Sequence, residues 1–150
     1  MVSKRTATVL IGLLVATLGA CAEGAGGTSE GAAELIGTVW RWTEFQDSAD
    51  GAEANDMRVS ESEKYTLTLN PDGTAHLRVD CNRARLQYTL EGSRLAFDTT
   101  WPMTRAYCGE KSLSDRYLER LVNTVTYVLT GDTLHLNLKL DPGNMVFVAE

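Results

Sequence analysis

The stretch Tyr65–Asn82, YTLTLNPDGTAHLRVDCN, decides the fold. Tyr65, Leu67 and Leu69 alternate with two threonines, and a period of two is that of a strand with one buried face. Asn70-Pro71-Asp72-Gly73 follows, with proline early and glycine late, the chemistry of a tight turn. The chain then returns with Ala75, Leu77, Val79 and Cys81 on one face and His76, Arg78 and Asp80 on the other. Two such runs joined by a short turn predict an antiparallel hairpin. In this phase the Cys81 side chain points into the core.

The same period spreads in both directions. Upstream, TVWRWTEF (Thr38–Phe45) sets Trp40 and Trp42 on one strand face, as large core anchors. Downstream, Leu86, Tyr88 and Leu90 alternate, turn through EGSR and return as Leu95–Phe97. Val125, Tyr127 and Leu129 form a further strand face. After a turn at Gly131-Asp132, Leu134, Leu136, Leu138 and Leu140 form another, and MVFV closes the pattern. One segment changes period. In SLSDRYLERLV (Ser112–Val122), Leu113, Tyr117, Leu118, Leu121 and Val122 make a helical stripe, and Ser112 and Asp115 stand at capping-box spacing. The fold class expected is α+β, mainly antiparallel β: a sheet or partly closed barrel packed against one amphipathic helix.

The first residues follow another logic. Lys4 and Arg5 precede the apolar run Ala7–Leu18, which is about 12 residues long against the ~20 needed to span a bilayer. This is the build of a signal peptide. It ends in Leu18-Gly19-Ala20-Cys21, which resembles the lipobox of bacterial lipoproteins. That resemblance implies cleavage before Cys21 and attachment of fatty acyl chains such as palmitate there, enough of them for stable anchoring. Residues 22–33, AEGAGGTSEGAA, hold almost nothing that can be buried. The expected organisation is residues 1–20 as lipoprotein signal peptide, 21–33 as flexible tether and 34–150 as one folded domain. Ala22, in place of an aspartate, fits the outer membrane of a didermic cell. In other bacteria the anchor would sit on the outer face of the cytoplasmic membrane.

The formal charge of −6 becomes −8 once Lys4 and Arg5 are removed. No basic stripe stands out in the linear sequence, so nucleic acid is not an expected partner, whereas a cationic protein is. The acidic stretch Gln46–Glu63 reads as a long surface loop. Forcing an EF-hand frame onto it puts Gln46 and Met57 at the end positions, so it does not read as a calcium loop. His76 and His135 alternate with inward leucines and face solvent. No metal site or cofactor is implied.

The remaining chemistry concerns Cys81 and Cys108. In an exported chain, two cysteines left after acylation of Cys21 point to one disulfide. Two buried free thiols are the alternative. A third option is a nucleophilic thiol activated by Arg83 and Arg85.

In order along the chain, LIGTVWRW, DGTAHLRVDCN, TRAYC, SDRYLERL, YVLTGDTLHL and MVF resemble the META domain, also called HslJ-like, over about 115 residues. Leu86 replaces a frequent glycine and Ala106 a common methionine; the lost glycine implies a straighter strand after Asn82. The resemblance implies a small envelope protein of antiparallel β structure with one helix and no established catalytic residues. It brings associations with heat-inducible expression, novobiocin resistance and virulence. The function expected is therefore a non-enzymatic, lipid-anchored binding module in envelope integrity or in stress and antibiotic tolerance. The alternative is an inhibitor of a cationic enzyme such as lysozyme.

Overall fold

The computed structural model describes residues 33–49, 56–100, 102–140 and 143–150. The expected signal peptide, Cys21 and nearly all of the expected tether lie outside the described residues, as does the centre of the acidic stretch.

Nine strands and one helix of two and a half turns organise the described chain. They are β1 (Val39–Asp47), β2 (Met57–Arg58), β3 (Tyr65–Leu69), β4 (Thr74–Val79), β5 (Asn82–Glu91), β6 (Arg94–Phe97), α1 (Ser114–Val122), β7 (Thr124–Thr130), β8 (Thr133–Leu138) and β9 (Gly143–Ala149). All pair antiparallel in the order β2-β1-β3-β4-β5-β6-β7-β8-β9, and β9 pairs again with β1. That last pairing, from Trp40 opposite Ala149 to Asp47 opposite Gly143, closes eight strands into a full barrel. The two-residue β2 lies outside the circuit, on the half of β1 that β3 leaves free. One seam is thin: β6 meets β7 only where Arg94 faces Thr126.

Alternation explains the interior. Leu67, Leu69, Ala75, Leu77 and Val79 are buried from the opening hairpin, with Trp40, Trp42 and Phe45 from β1 and Met145 and Phe147 from β9. Each large apolar side chain so placed contributes about 1.5–3 kcal/mol. Leu35, wholly buried, accepts a bond from Trp40 Nε1 through its carbonyl (3.0 Å), near the Leu69 end of β3. Toward the Tyr65 end, α1 sends in Tyr117, whose ring lies 5.4 Å from Trp42, 5.7 Å from Tyr65 and 6.3 Å from Phe147. Leu118 and Leu121 are also buried, and the Arg120 guanidinium sits 3.6 Å from the Phe45 ring centroid.

Several sequence expectations need correction. Cys81 does not point inward. Val79 pairs with Asn82, so Asp80 and Cys81 form the two-residue turn between β4 and β5, Asp80 at φ 58°, and the sulfur leaves the pleat. Val125 is exposed because the register shifts between Thr124 and Thr126, putting Thr124 inside instead. Leu140 lies past the end of β8 at φ 66° and is 91% exposed, so the leucine series stops at Leu138. The expected capping pair does not form: Leu113 holds the N-cap position of α1, with no side-chain cap bond. The acidic stretch is not all loop, since Gln46 and Asp47 continue β1, Met57 and Arg58 make β2, and Val59 is buried. The straighter strand after Asn82 is present: β5 pairs with β4 from Asn82 to Gln87 without a shift.

Candidate functional site

With its interior filled by side chains, the barrel offers its outer wall. The pleat of β3, β4 and β5 turns Thr66, Thr68, His76, Arg78, Arg83 and Arg85 outward. Register groups them into two rows. Thr68, His76 and Arg85 lie across from one another in one, and Thr66, Arg78 and Arg83 in the other. Val39 extends the first row through β1, and Arg41 the second. Arg41 is half-buried, and its Nε is shut off from solvent without a hydrogen-bond partner. A chain whose linear sequence shows no basic stripe thus builds a basic face from residues on three strands, β1, β4 and β5.

A wall makes this face concave. After β6 the chain runs back beside the first half of β5, which β6 does not cover. Met103 bridges Ala84, Thr104 N–H donates to Arg83 O (3.1 Å), and Arg83 N–H donates to Thr104 Oγ1 (3.0 Å). Arg85 N–H donates to Pro102 O at 3.4 Å. Between this wall and the sheet lies a recess of about 810 Å³, with Glu63 and Glu150 also among its lining residues. That volume falls within the range of small-molecule sites.

Two devices pin the wall. Asn82, 4% exposed, donates from Nδ2 to Ala106 O (2.9 Å) and accepts from Ala106 N–H at Oδ1 (2.8 Å). Beside it, Cys81 and Cys108 form a disulfide, with Cα atoms 5.6 Å apart. Sulfurs joined in this way offer no thiolate, so neither acts as a nucleophile while the bond is intact.

Three arginines and two glutamates line the recess, the arginines grouped on β4 and β5. Arg85 lies 3.6 Å from Asp72, both well exposed, so solvent screens the pair strongly. Asp72 is held below the ordinary carboxylate range, first by the Thr74 hydroxyl, then by the Thr74 N–H, and only weakly by Arg85. Arg78 donates through Nε to Asp80 O (3.3 Å). Guanidiniums are planar donors that bind phosphate or carboxylate through paired bonds. The arrangement can therefore hold anions.

The expected site residues fall as follows. Cys81 and Cys108 come together at the edge of the wall. His76 is exposed on the basic face, and His135 is half-buried against Asn144 Oδ1 (3.2 Å). Sequence reasoning missed the arginine face because the phase of Arg83 and Arg85 depends on the turn at Asp80-Cys81. Once that turn is known, their alternation with Ala84 and Leu86 places them outside.

Residues 33–150 match the family model of the META domain. The chain belongs to the META domain family. No curated protein is detectably similar to it. Among solved structures, this META domain is similar to a Burkholderia xenovorans protein determined by NMR. That match has 22% identity and a TM-score of 0.62, over 81% of this chain and 87% of the other. It is also similar to a crystal structure of a DUF4847 family protein from Bacteroides vulgatus, with 13% identity and a TM-score of 0.58, over 76% of this chain and 93% of the other. At these identities the likeness shows the barrel fold alone.

Proposed function

We propose that this META domain is the working part of a lipid-anchored bacterial envelope protein. Cys21 holds it at the membrane, and it binds its ligand without transforming it, in support of envelope integrity or stress and antibiotic tolerance. One observation carries the binding part: the barrel interior is occupied by its own aromatic and aliphatic side chains, while Arg78, Arg83 and Arg85 line an outer recess. The ligand is anionic in this reading. The amphipathic α1 serves as a stopper, its Tyr117 filling the Tyr65 end of the barrel. The lipobox-like Leu18–Cys21 supports the anchor.

The test is a clean deletion strain, challenged with detergent or novobiocin and complemented with three alleles. Wild type restores tolerance. Cys21→Ser restores it poorly, and so does Arg83→Glu combined with Arg85→Glu. Full rescue by the first variant removes the anchor, and full rescue by the second removes the arginine face.

A second reading rests on the overall charge of −6. An acidic protein steers cationic partners, and a lysozyme-type enzyme would be one. A lysozyme activity assay at low salt decides it, and full lysozyme activity at micromolar protein removes it.

A further inference from the structure

The recess has more structure than a general attraction for anions requires. Its basic side chains stand in two rows, His76 with Arg85 and Arg78 with Arg83, each pair on neighbouring strands. Directly opposite residues on such strands have Cβ atoms about 4.5–5.5 Å apart. The rows are separated by two residues along the strand, roughly 7 Å at the backbone. One anionic group can lie over each row, so the geometry suits two anions on one ligand better than a single ion.

The opposite side of the recess has different chemistry. Thr66 and Thr68 present hydroxyls from β3, and Glu63 and Glu150 present carboxylates. The Glu150 N–H donates to Val39 O (2.9 Å), which keeps the residue at this rim. Carboxylates there repel a second row of phosphates and accept hydrogen bonds from hydroxyl groups. Val39, Pro102 and Met103 add apolar surface suited to the C–H face of a sugar ring. Glu63 and Glu150 would also repel the closely spaced phosphates of a flat anionic bilayer.

Building on the anion-binding reading, we infer that the recess between β3–β5 and the Pro102–Thr104 wall is a site for a saccharide carrying two phosphate groups. Arg78, Arg83, Arg85 and His76 take the phosphates. Thr66, Thr68, Glu63 and Glu150 take the hydroxyls. The ligand is either a free sugar bisphosphate or the phosphorylated saccharide headgroup of a lipid, since the two share this chemistry.

The experiment is calorimetric titration of the full-length protein in neutral detergent at about 100 mM salt, where long-range attraction is largely screened. The probes are fructose 1,6-bisphosphate, glucose 6-phosphate, pyrophosphate and inorganic phosphate, with vesicles of neutral lipid carrying a bisphosphorylated disaccharide lipid as a separate arm. A sugar bisphosphate, soluble or on the lipid, is expected to bind at least roughly tenfold tighter than the monophosphate or pyrophosphate, the worth of one charge-assisted contact. Arg83→Gln with Arg85→Gln should lose roughly tenfold or more for the bisphosphate. Thr66→Val should weaken the sugar bisphosphate and leave pyrophosphate unchanged. All three positions face outward, and an unchanged far-ultraviolet dichroism spectrum confirms that each variant is folded. Which arm binds identifies the source, and binding in either supports the site.

Pyrophosphate binding as tightly as every sugar bisphosphate overturns the saccharide assignment. Undiminished binding by the double arginine variant overturns the site. Binding to vesicles of plain anionic phospholipid that depends on these arginines, with neither bisphosphorylated probe bound, sinks this inference and leaves the anion-binding reading intact. Failure on every anionic probe sinks both.

Discussion

Asn82 does with one side chain what a strand residue does with its peptide groups. It pairs with both the N–H and the C=O of Ala106, from a position almost wholly out of solvent. Replacement by alanine leaves those two groups without their partner and opens a small gap. Asn82→Ala should therefore destabilise the fold by about 2–4 kcal/mol, read from the urea midpoint at constant m-value. A cost below about 0.5 kcal/mol, the usual size of a surface substitution, would show that the contact is dispensable. The sequence made this asparagine conspicuous beside Cys81, yet its reason was hidden, because the partner lies 24 residues downstream in a segment without periodicity. Tyr117 is the opposite case. Its ring is legible as part of a helical stripe, but its hydroxyl is buried without a hydrogen-bond partner, and burial drives its pKa sharply upward. Tyr117→Phe removes an unsatisfied group and keeps the ring, so stability should hold or rise by about 1 kcal/mol. Tyr117→Ala should cost about 3–5 kcal/mol. Thermal unfolding of the two variants separates ring from hydroxyl.

At the level of elements, turns decide what could be read in advance. The β3–β4 hairpin was legible because Asn70–Gly73 is turn chemistry between two period-two runs. Asp72 completes it by accepting from both the hydroxyl and the N–H of Thr74. Those bonds lower its folded pKa, so their contribution is present above the ordinary carboxylate range and is lost as pH falls through the depressed value. NMR should show the Asp72 carboxyl titrating below its usual pH, with the Thr74 amide moving in step; Asp72→Asn should abolish that movement. The next turn, Asp80-Cys81, carries no glycine, asparagine or proline. Alternation alone carries Cys81 onto the face of Leu77 and Val79, whereas the turn lifts it out of the pleat. The bulge at Thr124–Thr126 misled the reading of Val125 in the same way, and β2 is too short to show any period. The wall also behaves as an element of its own. Its disulfide closes a loop of 28 residues, from Cys81 to Cys108, and the chain-entropy model gives that closure about 3–4 kcal/mol. Cys81→Ser with Cys108→Ser should cost up to that amount. It should also raise amide exchange at Arg83, Thr104 and Ala106 while the β7–β9 amides stay protected. Equal loosening on both sides of the barrel would contradict a local wall.

For the whole molecule, closure is the decisive fact, and local pattern did not reveal it. The alternation of β1 and β9 announces two strands but not that they are neighbours across about a hundred residues. A partly closed barrel was as far as periodicity could reach. The closing strand also places Met145 and Phe147 in the same core as Trp40, Trp42 and Phe45, so β9 is needed for the core as well as for the ring. Removing residues 143–150 should abolish the cooperative unfolding transition and leave a species that binds hydrophobic dyes. A sharp transition surviving the truncation would mean that eight strands are not required. The same closure imposes an order in time. A chain made from its N-terminus produces Trp40 and Trp42 of β1 about a hundred residues before their partners in β9. Until β9 emerges one edge of β1 waits uncovered, the condition in which strand edges pair with the wrong neighbour. Pairing at such sequence distance is intrinsically slow. The vulnerable interval is thus the one between β1 and β9, and a chaperone that shields residues 39–47 until β9 is in place would protect the chain most.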